Sequence, residues 1–192
     1  TGRDIQALQG EPVWGLTNWG LVEGEYDRFH RFAVTQRSLF ETMEPIPGAP
    51  QAIRRIGTEG VRIRFITHRI FFLYFHEAAV AQTVRWLDNH GIPYWDLCFM
   101  RDKGDVGADL YVEDSPENVK SLRALGKSVL ILDNATNRHL PDEPGGRALD
   151  WTQAEDMVRS QYYRWLDVHE LERPPAHGIE PDWSKPGAKP VV

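Results

Sequence analysis

The alternation of apolar and polar positions divides the chain into helical and extended stretches that take turns. From Glu25 to Met43 the apolar residues fall at Tyr26, Phe29, Phe32, Ala33, Leu39, Phe40 and Met43. That spacing returns to one face every three or four residues and predicts a helix with one buried side. Pro45-Ile46-Pro47-Gly48 stops it, and a second helix is expected from about Ala49 to Gly57. Val61 to Ile66 then reads as a strand ending in Thr67-His68-Arg69. Phe75 to Asn89 reads as a helix, with Ala79, Val80, Val84 and Leu87 on one side and Gly91 near its end. Asp96 to Met100, Leu110 to Val112 and Ser128 to Leu132 are short strands. A helix opening on a Ser115 cap and Pro116 runs to Leu125, and Gly126 ends it. Asp133 to Gly146 reads as loop and Trp151 to about Asp167 as a last helix. Residues 1–24, with Trp14 and Trp19 among glycines, read as loop with short turns, and the Pro-rich residues 173–192 as a mobile tail.

Strands alternating with helices over 44–167 predict an α/β fold: a Rossmann-like parallel sheet flanked by helices, joined by right-handed crossovers. In such sheets ligands gather beyond the carboxyl ends of the strands. The polar clusters obey that rule. Thr67-His68-Arg69, Arg101-Asp102-Lys103, Glu113-Asp114 and Asp133-Asn134 each follow a strand directly. Together they point to one site.

The chemistry of these clusters is that of a phosphate beside a metal ion. Lys103 can hold a phosphate as a point charge, and Arg101 can do so through a planar fork. Glu113 and Asp114 are hard oxygen donors of the kind Mg²⁺ prefers. The Thr67 hydroxyl can donate to a phosphate oxygen at a strand end, and His68 and Arg69 fall at the pocket rim. Each residue also has a plain structural reading: Thr67 as a turn or cap, Lys103 as a solvated lysine, Asp114 as a charge favoured by a helix N-terminus. Their recurrence at strand ends weighs toward the site. His76-Glu77 lacks the second histidine of a helical zinc motif, and there is no Gly-rich phosphate loop of the P-loop kind.

Composition narrows the partners. The net charge of −6 argues against a general nucleic-acid binder. It leaves room for a small phosphorylated substrate held by local cations and a metal. With one cysteine, Cys98, in an apolar run, an internal disulfide is excluded; a core thiol and a reducing compartment are expected. The longest apolar runs, such as Ile70 to Phe75, are too short to span a membrane, and no signal-peptide pattern opens the chain.

Over roughly residues 37–165 the chain resembles the haloacid-dehalogenase-like hydrolases, and within them the 5'(3')-deoxyribonucleotidases. The resemblance rests on Glu44-Pro45-Ile46-Pro47-Gly48-Ala49, Thr67, Arg85-Trp86, Arg101-Asp102-Lys103, Ala108-Asp109-Leu110 with Glu113-Asp114, and Asn137-Arg138-His139-Leu140. It implies that Thr67 hydrogen-bonds the phosphoryl group and that Lys103 neutralises the phosphate and the nucleophile. It also implies that Asp114, with Glu113, holds Mg²⁺, and that Arg101 touches phosphate or the pocket edge. Residues 1–43 correspond to part of a small helical cap, 44–172 to the α/β core and 173–192 to the tail. Trp14, Trp19 or Phe40 could stack on a base there or fill the cap's own core.

Members of that family open with a central strand ending in Asp-x-Asp, whose first carboxylate takes the phosphoryl group. No Asp-x-Asp occurs in these 192 residues, so the natural chain is expected to start about 20 residues upstream. His68-Arg69 stand where animal members often have Ser-Pro, and Thr83 stands where those relatives can carry a phosphate-contacting lysine. The expected activity is Mg²⁺-dependent hydrolysis of nucleoside monophosphates through a phospho-aspartate, in the cytoplasm. The alternatives are a phosphatase for another small phosphorylated metabolite and a non-catalytic relative that binds a nucleotide or partner. The expected partners are a small phosphorylated substrate, first a deoxyribonucleotide, and a second copy of the chain in a homodimer, not a nucleic-acid polymer or a membrane.

Overall fold

Residues 14–22, 24–71 and 75–172 are described by the structure, a computed structural model. The expected tail, 173–192, and most of the expected N-terminal loop lie outside the described residues. Trp14–Trp19 form a 3-10 helix. The helix expected from Glu25 to Met43 is two: α1, Glu25–Arg37, and α2, Leu39–Thr42. Ser38 between them takes a left-handed conformation, φ 50° and ψ 42°. A break inside a helix orphans backbone groups, which then need partners. Gln82, buried, supplies them. Its Oε1 accepts from the Phe40 amide at 3.2 Å, and its Nε2 donates to the Val34 carbonyl at 3.0 Å.

Gly48 in the left-handed region and Pro50 in the first turn start α3, Ala49–Thr58, which buries Ala49, Ala52, Ile53 and Ile56. β1, Arg64–Thr67, starts later than the apolar run suggests. α4, His76–Asn89, packs on α1 and α2 in a cluster of Val34, Phe40, Phe75 and Ala79. β2, Asp96–Phe99, pairs parallel with β1, setting Arg64 against Asp96 and Thr67 against Phe99. β3, Tyr111–Glu113, leads into α5, Pro116–Ala124. β4, Val129–Leu132, is buried along its length. β5, Arg147–Ala148, directly follows the expected loop, where the pattern assigns no element. α6, Trp151–Val168, is capped by Asp150, whose carboxylate accepts from the Gln153 amide at 2.8 Å. Ser115, by contrast, sits at the cap position of α5 without a side-chain capping bond.

The protein is α/β, with parallel strands flanked by helices. The strands form two sheets, β1-β2 and β3-β4-β5, all pairs parallel. Among the described residues β1 pairs only with β2, and β3 only with β4. The two are neighbours all the same, because Ile66 of β1 packs against the cluster of Tyr111, Val119, Leu122, Val129, Ile131 and Leu140. Among the described residues the second edges of β1 and β3 carry no strand partner. Burial agrees: every residue of β4 is buried, whereas every residue of β1 and β2 is half-buried. Parallel strands are normally covered on both faces. On the far side, α3 and α6 are tied by ions. Arg55 donates to the two Glu155 oxygens at 2.8 and 2.5 Å, and Arg159 lies 2.7 Å from Glu155 and 2.5 Å from Glu59. No helix among the described residues is long and apolar enough to cross a membrane.

Candidate phosphate and metal site

The polar clusters stand at the carboxyl ends of β1, β2, β3 and β4. Lys103 begins a 3-10 turn, Lys103–Val106, just past β2, and Glu113 ends β3. Ten residues apart in sequence, they meet: Lys103 Nζ stands 2.5 Å from Glu113 Oε2. Side-chain exposure is 17% for Lys103 and 7% for Glu113. The other Glu113 oxygen, Oε1, accepts from the backbone amides of Asp114 and Ser115, both at 3.1 Å. Glu113 therefore braces the chain leading into α5, on amides that precede those a Ser115 cap would take. Burial pushes its carboxyl up, but the Lys103 charge and hydrogen bond and the Ser115 amide outweigh that and hold it below the usual value.

Asp114 stands at the mouth of the site with its residue surface exposed. Its carboxyl is pushed up, first by the protein packed around it and next by the Glu113 charge. Its backbone is anchored: the Asp114 carbonyl accepts from Asn134 Nδ2 at 3.1 Å and Asn137 Nδ2 at 2.9 Å. Asn137, fully buried, is the hub of this corner. It also donates to the Leu132 carbonyl at 2.8 Å and accepts from the Asn134 amide at 3.2 Å and Arg147 Nη1 at 2.8 Å. Arg147 is held in turn by Asp133 at 2.7 Å. Asp133 and Asn134, expected beside the site, thus hold its frame. The hub function of Asn137 and Arg147 is not visible in the sequence, where Asn137 stands between polar Thr136 and Arg138 and is marked only by the family resemblance.

Thr67 closes β1, and its Oγ1 accepts from the Arg69 amide at 3.3 Å. His68 feels the charges of Lys103, Glu113 and Asp102. Burial lowers its pKa first and the Lys103 charge second, with Glu113 and the Arg101 backbone opposing. Its Nε2 is shielded from solvent with no hydrogen-bond partner. Arg101 is exposed just beyond β2. Arg69 turns the other way, toward α2 and α4. Its Nη1 donates to Thr83 Oγ1 at 3.1 Å, and its Cζ sits 4.4 Å from the centre of the Phe40 ring. Phe40 is 5% exposed and has His30 at 5.4 Å, so it belongs to a packed core. The Trp14 side chain lies outside the described residues.

No group of three or more His, Cys, Asp or Glu that could hold a metal occurs among the described residues. The donor set offered is two adjacent carboxylates, one exposed and one buried. That suits Mg²⁺, which keeps several waters and takes one or two protein carboxylates plus substrate phosphate. Two like charges side by side, one raised by the other, gain from a cation between them.

Comparisons with known proteins bear on the family of the chain. A family model described as "5' nucleotidase, deoxy (Pyrimidine), cytosolic type C protein" matches residues 6–163. A protein of Chlorobaculum tepidum named "Putative 5'(3')-deoxyribonucleotidase" is 54% identical over 159 residues, covering 82% of this chain and 77% of that protein.

Proposed function

The chain belongs to the cytosolic type C 5'-nucleotidase family, whose activity is nucleotide hydrolysis, and on that premise we propose that it serves Mg²⁺-dependent dephosphorylation of deoxyribonucleoside monophosphates in the cytoplasm. The carrying observation is the Lys103–Glu113 pair at 2.5 Å, next to exposed Asp114 and at the carboxyl ends of β2 and β3. Lys103 is a cation already desolvated and aimed, so it neutralises an incoming phosphate without reorganising. Thr67 donates its hydroxyl to a phosphoryl oxygen. Arg101, exposed at the edge, meets the phosphate on entry. Asp114 holds Mg²⁺, and Glu113 orients Lys103 while lending the second negative charge. When bound, the metal supplies Lewis-acid stabilisation of the transferring oxygens.

The attacking carboxylate is the one part of this reading that the 192 residues do not carry in Asp-x-Asp form. A strand seated between β1 and β3 would pair both free edges and end beside Thr67, Lys103 and Asp114. Its carboxylate oxygen would attack phosphorus as the nucleoside oxygen leaves and takes a proton. Water would then attack the phospho-aspartate and release inorganic phosphate. Helices α1 and α2 act as the cap over the α/β core.

The test is phosphate release from dUMP, dTMP and an aryl phosphate, with Mg²⁺ and with EDTA. It is run on this chain and on a form extended upstream by an Asp-x-Asp strand. Release from the deoxynucleotides by the extended form, abolished by EDTA, is expected. Release indifferent to EDTA, or hydrolysis of the aryl phosphate alone, overturns the proposal.

A further inference from the structure

Arg69 is the one shielded arginine among the described residues with neither a carboxylate nor a carbonyl partner. Arg64, Arg147 and Arg159 each face a carboxylate, and Arg54 and Arg123 donate to backbone carbonyls. The Arg69 guanidinium has a hydroxyl at 3.1 Å and the Met43 thioether at 3.9 Å. Among the described residues these are the acceptors its five N–H donors meet, and donors drawn from water are costly where partners are few. Burial lowers its pKa to about 10, which still leaves it charged at neutral pH.

The group is held in place. Phe40 fixes the guanidinium plane from below at 4.4 Å, and Phe40 is itself buried. Thr83 donates to the Ala79 carbonyl at 2.7 Å, which turns an oxygen lone pair toward Arg69. A cation fixed this firmly, with donors unspent, is preorganised for a ligand. Its place in the fold says which part of the ligand. The phosphate end is served by Thr67, Lys103 and Asp114 at the strand ends. Arg69 starts there, two residues beyond Thr67, but its side chain leads away to α2 and α4. In a nucleotide whose phosphate lies at the strand ends, the group on that side is the nucleoside.

We propose that Arg69 reads the nucleoside half of the substrate by donating to a carbonyl oxygen of a pyrimidine base. This rests on the nucleotidase reading above. Arginine is suited to such keto oxygens, since its fork gives charge-assisted, directed hydrogen bonds.

The experiment is calorimetric binding of dUMP and of 2-deoxyribose 5-phosphate, the same sugar phosphate without a base, in Mg²⁺. It needs no turnover. Arg69→Met keeps the apolar stem and removes the donors; Arg69→Lys keeps the charge and serves if the methionine variant fails to fold. Arg69→Met is expected to weaken dUMP about 10- to 100-fold, the range for a hydrogen bond to a charged group, and the sugar phosphate less than about threefold. Arg69→Lys is expected to lose less on dUMP and nothing on the sugar phosphate. Equal weakening of both ligands makes Arg69 a phosphate contact and overturns this inference, leaving the nucleotidase reading intact. Unchanged dUMP binding overturns it equally. A wild-type chain that binds neither ligand removes both readings.

Discussion

Removing the Lys103 ammonium tests the centre of the site. In Lys103→Met the Glu113 carboxylate, 7% exposed, keeps the amides of Asp114 and Ser115 but loses its only cation. Stripping one partner from a buried pair costs about 3–5 kcal/mol; the surviving amides bring the expectation to about 2–3 kcal/mol. For a chain of this size that lowers the melting temperature by roughly 5–10 °C. Glu113→Gln alone costs less, because Lys103, 17% exposed, can turn toward water. The double variant should recover much of the loss, leaving a coupling energy of about 2 kcal/mol. The pH dependence has a definite sign. In the wild type the Glu113 carboxyl is held below its ordinary value, so its contribution is present above the ordinary glutamate range and is lost as pH falls through the folded value. Without Lys103 burial dominates and the carboxyl rises above that range. The variant's deficit is then largest near pH 7.5 and shrinks as Glu113 protonates. Urea unfolding of the four proteins in EDTA at pH 7.5 and 4.5 measures both quantities. A deficit equal at the two pH values, or a coupling under about 0.5 kcal/mol, refutes the reasoning.

Glu155→Gln should cost about 2 kcal/mol at pH 7, because two arginines on α3 and α6 lose their shared anion. The Glu155 carboxyl is held below its usual value, first by the Arg55 hydrogen bond, so the gap to wild type should narrow in urea titrations below about pH 4. Asn137→Ala leaves the Asp114 and Leu132 carbonyls without their buried donor and should cost about 2–4 kcal/mol by denaturation. It should also weaken Mg²⁺ binding about tenfold by calorimetry, since it frames Asp114 without touching the ion. Gly145→Ala should fail to give folded protein, because its Cβ would sit 2.1 Å from the Val129 carbonyl oxygen at φ +104°. Gly126→Ala, at φ +70° with nothing within 4 Å, should cost only about 1 kcal/mol on the same melting scale.

The α/β class and the strand ends were legible because each apolar run stops at a polar cluster, and parallel sheets put clusters there. What escaped was decided over long distances. The break at Ser38 follows from Gln82, which bonds to Phe40 across 42 positions and to Val34 across 48. β5 is two residues long, too short for any period to show. Ser115 has the residue type of a cap, but its side chain makes no capping bond, and Glu113 holds the two amides that lead into the helix. Residue types pointed to phosphate for Lys103 and to metal for Glu113. Their pairing with each other is a fact of the fold, as is the turn of Arg69 away from Thr67.

Sheet and site share one incomplete feature. Thr67 ends β1 and Glu113 ends β3, so a strand pairing with both of their edges would touch both halves of the chemistry. The unpaired edges of β1 and β3 are rows of backbone donors and acceptors that a strand would satisfy. Ladder bonds contribute about 0.5–1.5 kcal/mol each, so a strand of about five residues pairing at both edges should add roughly 5 kcal/mol. Stability and phosphatase activity should therefore rise together on adding the Asp-x-Asp strand. Hydrogen exchange followed by mass spectrometry reads the outcome at the edges themselves. The amides of Arg64–Thr67 and Tyr111–Glu113 should slow by orders of magnitude, while those of β4, already paired on both sides, should change only with global stability. Activity gained with no added protection along β1 and β3 would place the attacking carboxylate elsewhere and refute the strand between them.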